Sequence, residues 1–352
     1  MPDVSIDIFS TYTMLEMMAL RIIPREFIRR TFWWRENHLA TTKQFLVDIE
    51  KWGRGVATFV HPRREGKLVE AGLYETYLLE APYIKEKTLT TAGEVMKRAA
   101  GEVVWSRQPM SPIEKAARKL GQDLAKLDDR FVRREELMCC EVIFYGQATA
   151  VGDGIDAVYD YRMEASHKIP LNGSDAWSDV DNSDPMNDIW EAQQLILRDG
   201  GTSPTHCIMG IEAAKNFLRN KKVIEQLDTR RIVLGQIDPV QLPSGATYLG
   251  RHNLAGVDIY CYNEWYTDES GTPTAMVPPK RVSIGSPNAL LEFYYGPIED
   301  YEAIEGGVFA VERYPDSWVQ KEKGRWLSLQ SAPLPAMNEP NSFVIIITQP
   351  EE

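Results

Sequence analysis

Cysteine is scarce in this chain, with four in 352 residues, and their placement removes most cysteine chemistry. Cys139 and Cys140 are neighbours, Cys207 and Cys261 stand far apart, and no C-x-x-C occurs. That excludes a disulfide framework and the common zinc spacings, and fits a reducing compartment. Histidine is nearly as rare: five residues, with no H-E-x-x-H among them. There is no G-x-S-x-G elbow, no P-loop and no G-x-G-x-x-G, so the sequence gives no positive reason to expect a hydrolase, a nucleotidase or a dinucleotide enzyme. Positive charge is in deficit, the net being -12, which argues against a chain-wide basic surface for gripping nucleic acid. Long apolar runs are missing too. The patch from Met14 to Ile23 follows Asp3 and Asp7 and is interrupted by Glu16, so neither a signal peptide nor a membrane span is expected there. No internal repeat or low-complexity tract stands out.

What is present is length enough for two or three lobes and an ample supply of aromatics, 9 Trp and 15 Tyr, residues used in interfaces as well as interiors. The strongest local signal runs from Ser111 to Gly146. Ser111 suits an N-cap, Pro112 the first helical position and Glu114 the third position of a capping box. Ile113, Ala117, Leu120, Leu124, Leu127, Phe131, Met138 and Val142 then recur at three-and-four spacing, and no proline intervenes before Gly146. The pattern predicts one helix about 50 Å long at about 1.5 Å per residue. Two readings follow: a spine with other parts laid along it, or a core helix of an ordinary α/β enzyme.

Ahead of the spine, a short amphipathic helix is expected around Thr11 to Ile22, stopped by Pro24. A basic and aromatic run from Arg25 follows, in which Trp33 and Trp34 are adjacent. One of the two faces a neighbouring molecule if this segment is extended, and the alternative is a strand lying on its own core. From Gly55, VATFV, the polar HPRREGK and LVEAGLYETYLLEAPYI read as two strands of a hairpin arm. Such an arm is marginal alone and needs support, for which another subunit is a candidate. Arg63, Arg64 and Lys67 at its tip read either as a solvated turn or as a docking cluster for acidic groups.

After the spine, Ala157 to Ile169 reads as one strand. Asp175, Asp179, Asp181, Asp184 and Asp188 then crowd an acidic, turn-rich stretch. The calcium-loop pattern fails, because Asp184 and Trp190 stand where its glycine and glutamate belong, and caps and turns account for these aspartates more simply. His206, Cys207, His252 and Cys261 are the residues a zinc site would use, without a supporting motif. No metal or cofactor is expected. Helices are predicted over Met186 to Arg198 and within Ile211 to Leu227, and strands at THCIMG from Thr205, GVDIYCY from Gly256 and KRVSIG from Lys280. Residues 185–300 thus make an inserted lobe. The end returns to strands, closing on FVIIIT from Phe343, a continuous apolar run suited to full burial.

The order of parts, with FWWRENHLATTKQFLVDI from Phe32, DPMNDIWEA from Asp184, IEQLDTRR from Ile224, and ERYPDSWV followed by LSLQSAPLP, resembles the lambda-type major capsid protein E family of tailed phages. The resemblance implies an α+β fold of the Hong Kong ninety-seven type. Its parts would be an N-arm (1–53), an E-loop hairpin (54–92), the spine helix (111–146) within a first P-domain segment (93–184), an inserted A-domain (185–300), and returning P-domain strands with a C-terminal strand (301–352). It further implies a structural subunit without catalytic residues. Such a subunit forms hexamers and pentamers of itself around double-stranded DNA, assembles in host cytoplasm with scaffold, portal and decoration proteins as partners, touches no membrane, and ends in the virion. Trp33, Trp34, Arg63, Arg64 and Lys67 are the candidate interface residues and Gly121 the candidate hinge. Some relatives of this fold cross-link a lysine to an asparagine, for which Lys67 with Asn338 or Asn341 would serve, but no such bond is expected here. An encapsulin-like cellular compartment and an acidic metal-dependent enzyme are the alternatives.

Overall fold

Ser111 and Glu114 start the helix as their spacing requires. The Ser111 hydroxyl accepts the Glu114 amide at 3.2 Å while the Glu114 carboxylate accepts the Ser111 amide at 2.7 Å. The helix runs unbroken over Pro112–Tyr145, 34 residues and about 51 Å at the usual rise. Gly146 ends it in the left-handed conformation at φ 73°, where an added Cβ would also lie 3.2 Å from the Met163 Cβ, so conformation and space both call for glycine. The computed structural model describes residues 11, 14, 26–51, 73–96, 111–152, 154–228, 240–252, 254–268, 270–321 and 323–350. Of the helix expected around Thr11 to Ile22, only Thr11 and Met14 fall among them.

The helix buries the predicted stripe in two different settings. Leu120, Leu124, Leu127 and Phe131 pack against Leu327 and Leu329 of a three-stranded antiparallel sheet made by Ile84–Thr90, Gly324–Ser331 and Tyr314–Gln320. Ile113 departs from the expectation. It is 73% exposed, because among the described residues nothing apolar covers the first turn. From Glu135 to Cys140 every residue is buried, and Cys139, Cys140, Val142, Ile143 and Phe144 belong to the main core. The vicinal cysteines are therefore packing residues, as expected, and burial pushes both thiols well above their ordinary range.

Beside this half of the helix lies a seven-stranded sheet in the order Lys168–Pro170, Phe343–Ile347, Arg281–Gly285, His206–Met209, Val257–Tyr262, Ala246–His252, Val240–Gln241. Alternation along its strands serves two cores. Ile208 and Ile345 face the core around the spine, whereas Cys207, Met209, Val344 and Ile346 face helices Pro185–Asp199 and Ile211–Arg219. The closing FVIIIT run thus lies second from one edge of this sheet, pairing antiparallel with Arg281–Gly285 and parallel with the three-residue edge strand Lys168–Pro170. It does not return with the strands that precede it. Conversely Leu291–Tyr295, expected inside the lobe, pairs with Pro333–Met337 and, in parallel, with His38–Leu39. Pairing thus draws the C-terminal strand into the sheet of the expected lobe 185–300 and Leu291–Tyr295 out of it. A continuous apolar strand needs both faces covered, and the two cores flanking the large sheet offer that.

Two further expectations change. Ala157 to Ile169 is not one strand: Ile155–Asp160 forms a hairpin with Gln147–Gly152, the chain turns at Arg162 with φ 56°, and a single turn Ala165–His167 precedes Lys168–Pro170. Tyr161 at the break is buried and its hydroxyl donates to the Pro335 carbonyl, which draws the chain out of the hairpin. The hairpin arm also begins earlier than Gly55. Gln44–Lys51 pairs with Leu73–Glu80 from Gln44 opposite Glu80 to Lys51 opposite Leu73, so its first strand lies within the span expected to be N-arm. VATFV and the tip residues Arg63, Arg64 and Lys67 lie outside the described residues.

Candidate subunit interface

The segment that leads into the hairpin is held by ionisable groups from four parts of the chain. Helix Phe27–Phe32 directs its first amides at the spine: Ile28 and Arg29 donate to the two oxygens of Glu136 at 2.8 and 3.0 Å. A carboxylate is favourable there because a helix N-terminus is electropositive and its first amides lack partners. Burial nevertheless pushes the Glu136 carboxyl up to about 7, the two amides only partly offsetting it. One residue earlier, Glu135 bridges two guanidinium groups, Arg29 at 2.9 Å and Arg313 at 2.6 Å. Burial raises the Glu135 carboxyl, but Arg313 and Arg29 more than reverse that and hold it below its ordinary value. Glu26 on Arg29 at 2.9 Å, Asp128 on Arg313 at 3.3 Å and the Tyr295 hydroxyl complete the cluster.

Trp33 is corrected from an interface candidate to a core residue. It is 4% exposed, and its indole donates to the Ala336 carbonyl at 3.1 Å within the same chain. The adjacent Trp34 is 59% exposed. Its indole donates to the Pro287 carbonyl at 2.9 Å, and the neighbouring Arg35 donates to Ala289 and Asn288, so the ring is held in place while its surface stays open.

The hairpin root shows the same division on a larger scale. Val47 and Ile49 are buried and Phe45, Tyr77 and Leu79 pack on the main core, while on the opposite face Leu46 and Leu78 stand directly across from each other, 63% and 59% exposed. Val151 and Val158 are likewise exposed on one face of hairpin Gln147–Asp160, opposite Asp156 and Thr149 respectively. A groove of about 930 Å³ lies between that hairpin, the spine and strand Ile84–Thr90, lined by Arg130, Arg133, Arg134 and the half-exposed Trp265. Arg130 is paired with Glu86 at 2.8 Å. Sequence periodicity signalled which hairpin residues alternate, but not which face the body would cover.

The residues weighed for chemistry are used structurally. Asp184 caps helix Pro185–Asp199 by accepting from the Asn187 amide, Asp179 accepts from the Asp181 and Asn182 amides, Asp188 accepts from the Trp177 indole at 2.7 Å, and Asp181 pairs with Lys221. Burial pushes the Asp188 carboxyl up to about 6. His206 stacks on Tyr260, Cys207 is buried in the sheet, and His252 holds the Met186 carbonyl and the Ala255 amide. Asn338 is buried and its amide donates to Glu292, so it is no exposed acceptor for a cross-link, and Asn341 is engaged with Glu164. Gly121 lies half-buried in an uninterrupted stretch of the spine.

This architecture has known counterparts. The major capsid protein of Enterobacteria phage P21 is 26% identical over 311 residues, 87% of this chain and 89% of that protein. The major capsid protein of Escherichia phage lambda is 24% identical over 326 residues, 91% and 93% of the two chains. A solved structure described as a prophage capsid protein of Escherichia coli CFT073 shares the fold with a TM-score of 0.71, at 18% identity and over 96% of this chain and 98% of that one. The family model described as phage major capsid protein E matches residues 10–348. The fold is thus that of phage capsid subunits, the protein is structural and not an enzyme, and the chain belongs to the phage major capsid protein E family.

Proposed function

We propose that this chain forms hexamers and pentamers that close into an icosahedral shell around the double-stranded DNA of a tailed phage, assembling in the host cytoplasm with scaffold and portal proteins. The observation that carries this reading is the hairpin root, which rests one face on its own body and turns Leu46 and Leu78 outward as an opposed pair. Apolar pairs presented this way are costly in water and are covered when a second copy lies against them. Here the N-arm is the segment around helix Phe27–Phe32, the E-loop the hairpin built on Gln44–Lys51, and the lobe around the seven-stranded sheet the A-domain. Trp34 is the remaining described interface candidate of the N-arm. A net charge of -12 suits a wall along which duplex must slide during packaging, because phosphate binding grows with the number of basic groups.

Expressing the chain and imaging it tests the proposal. Closed shells are expected from the unaltered protein and unassembled subunits from Leu46→Asp/Leu78→Asp; shells from both would remove the hairpin pair from the assembly surface. The encapsulin-like alternative differs in contents. Nuclease-protected DNA inside particles made during infection supports the viral reading, and packaged enzyme in its place overturns it.

A further inference from the structure

Three side chains that no sequence motif connects meet where the chain enters the seven-stranded sheet. Glu164 precedes the turn Ala165–His167, His167 ends it, and Asp199 is the last residue of helix Pro185–Asp199. One donor atom from each lies within 4.8 Å of the others. His167 is 0% exposed, and its Nδ1 is 2.8 Å from the Phe343 carbonyl oxygen. A carbonyl only accepts, so Nδ1 carries a proton, and Nε2 is the ring atom left to act as a ligand. Among the described residues that buried Nε2 has no hydrogen-bond partner. What faces it is the Oδ2 of Asp199 at 3.5 Å.

This spacing is long for a hydrogen bond, whose heavy atoms lie about 2.7–3.2 Å apart. It fits a different arrangement: two donors each about 2.0–2.1 Å from a tetrahedral ion stand about 3.4 Å from each other. The surroundings are also those of a ligand set. The His167 Nδ1–H on a backbone carbonyl fixes tautomer and ring orientation, as outer partners of metal-bound histidines do. The Asn341 amide holds Glu164 at 3.0 Å, and the Arg198 guanidinium holds both Asp199 oxygens at 2.8 Å. The scaffold is tight, since a Cβ on Gly200 would lie 2.3 Å from the Asn341 carbonyl oxygen.

We propose that Glu164, His167 and Asp199 bind one divalent first-row transition cation, Zn²⁺ fitting best. An imidazole with two carboxylates suits such ions, whereas Ca²⁺ and Mg²⁺ take oxygen alone. Two carboxylates and a neutral imidazole balance the charge of the ion. Glu164, on the exposed side, leaves a fourth position open to water. Arg198, 69% exposed, gives up Oδ2 of Asp199 to the ion and keeps Oδ1. The bound cation ties the entry to the sheet to the end of the lobe's first helix.

The test uses the full chain, stripped with a chelator and titrated with Zn²⁺ alone by calorimetry, with Co²⁺ absorption as a second readout. One Zn²⁺ per chain is expected, with the visible bands of four-coordinate Co²⁺ and no competition from Mg²⁺. Glu164→Gln, at an exposed position, and Asp199→Asn, at a partly buried one, should each weaken binding at least about tenfold while circular dichroism stays unchanged. Equal Zn²⁺ affinity in both variants would place the ion elsewhere and overturn the proposal. So would a lack of stoichiometric uptake by the unaltered chain, which would leave His167 facing Asp199 with no ion between them.

Discussion

Glu136 shows how much a single buried carboxyl decides. It accepts the first amides of helix Phe27–Phe32 amid Glu26, Arg29, Glu135, Tyr262 and the two buried thiols, and burial lifts it to about 7. The folded chain therefore binds this proton more tightly than the unfolded one. Its contribution to stability is full below about pH 4.5, falls as pH rises toward 7, and is flat above that, a span on the order of 3 kcal/mol. Denaturant unfolding of unassembled subunits at pH 5 and pH 8 should show the unaltered chain losing more stability than Glu136→Gln, and parallel profiles would refute it. Arg313 acts in the opposite sense. Arg313→Met leaves buried Glu135 with only Arg29 as a cation and the Tyr295 hydroxyl as a donor, and should cost about 3–5 kcal/mol by thermal or denaturant unfolding, with part recovered when Glu135→Gln is added. None of this was legible in the sequence, because Glu26, Glu135 and Arg313 are far apart in the chain and no local pattern announces a long-range charge cluster. Trp33 and Trp34 show the same limit. Adjacency said that they part ways, and only the position of Ala336 decides which one is buried.

At the scale of elements, local chemistry was readable wherever its causes were local. Ser111, Glu114 and Gly146 marked both ends of the spine to within a residue, since caps depend on neighbours three or four positions away. Ser111→Ala should lower stability by about 1 kcal/mol, and a larger loss in unfolding experiments would mean that the hydroxyl does more than cap. Gly121 is different. Its helix is continuous, and alanine there should raise helix stability by about 1 kcal/mol. If the spine bends at Gly121 as a shell matures, Gly121→Ala shells should expand more slowly when followed by electron microscopy or scattering. Unchanged expansion would leave glycine a packing role only. Strand partners were less readable than helix ends: the hairpin's first strand was expected after Gly55, whereas Gln44–Lys51 is the mate of Leu73–Glu80, and nothing local in that run identifies its partner.

For the molecule as a whole, the resemblance in the sequence carried the fold and the family, and pairing redrew the expected limits between lobes. Phe343–Ile347 pairs with strands from residues 168–170 and 281–285, so the lobe is stitched by segments from both sides of it. That placement has a consequence during synthesis. A nascent chain will have exposed its hairpin and its spine well before the strand Phe343–Ile347, which joins the lobe's sheet to the edge strand Lys168–Pro170, emerges. Because long-range strands pair late, the lobe should stay open and protease-sensitive until then. A chain cut after Ser342 should give a digestible lobe in pulse proteolysis, while the unaltered chain resists. A subunit that has not yet threaded this strand would thereby be kept out of a growing lattice, so the last step of its own folding would act as the proofreader of what enters it.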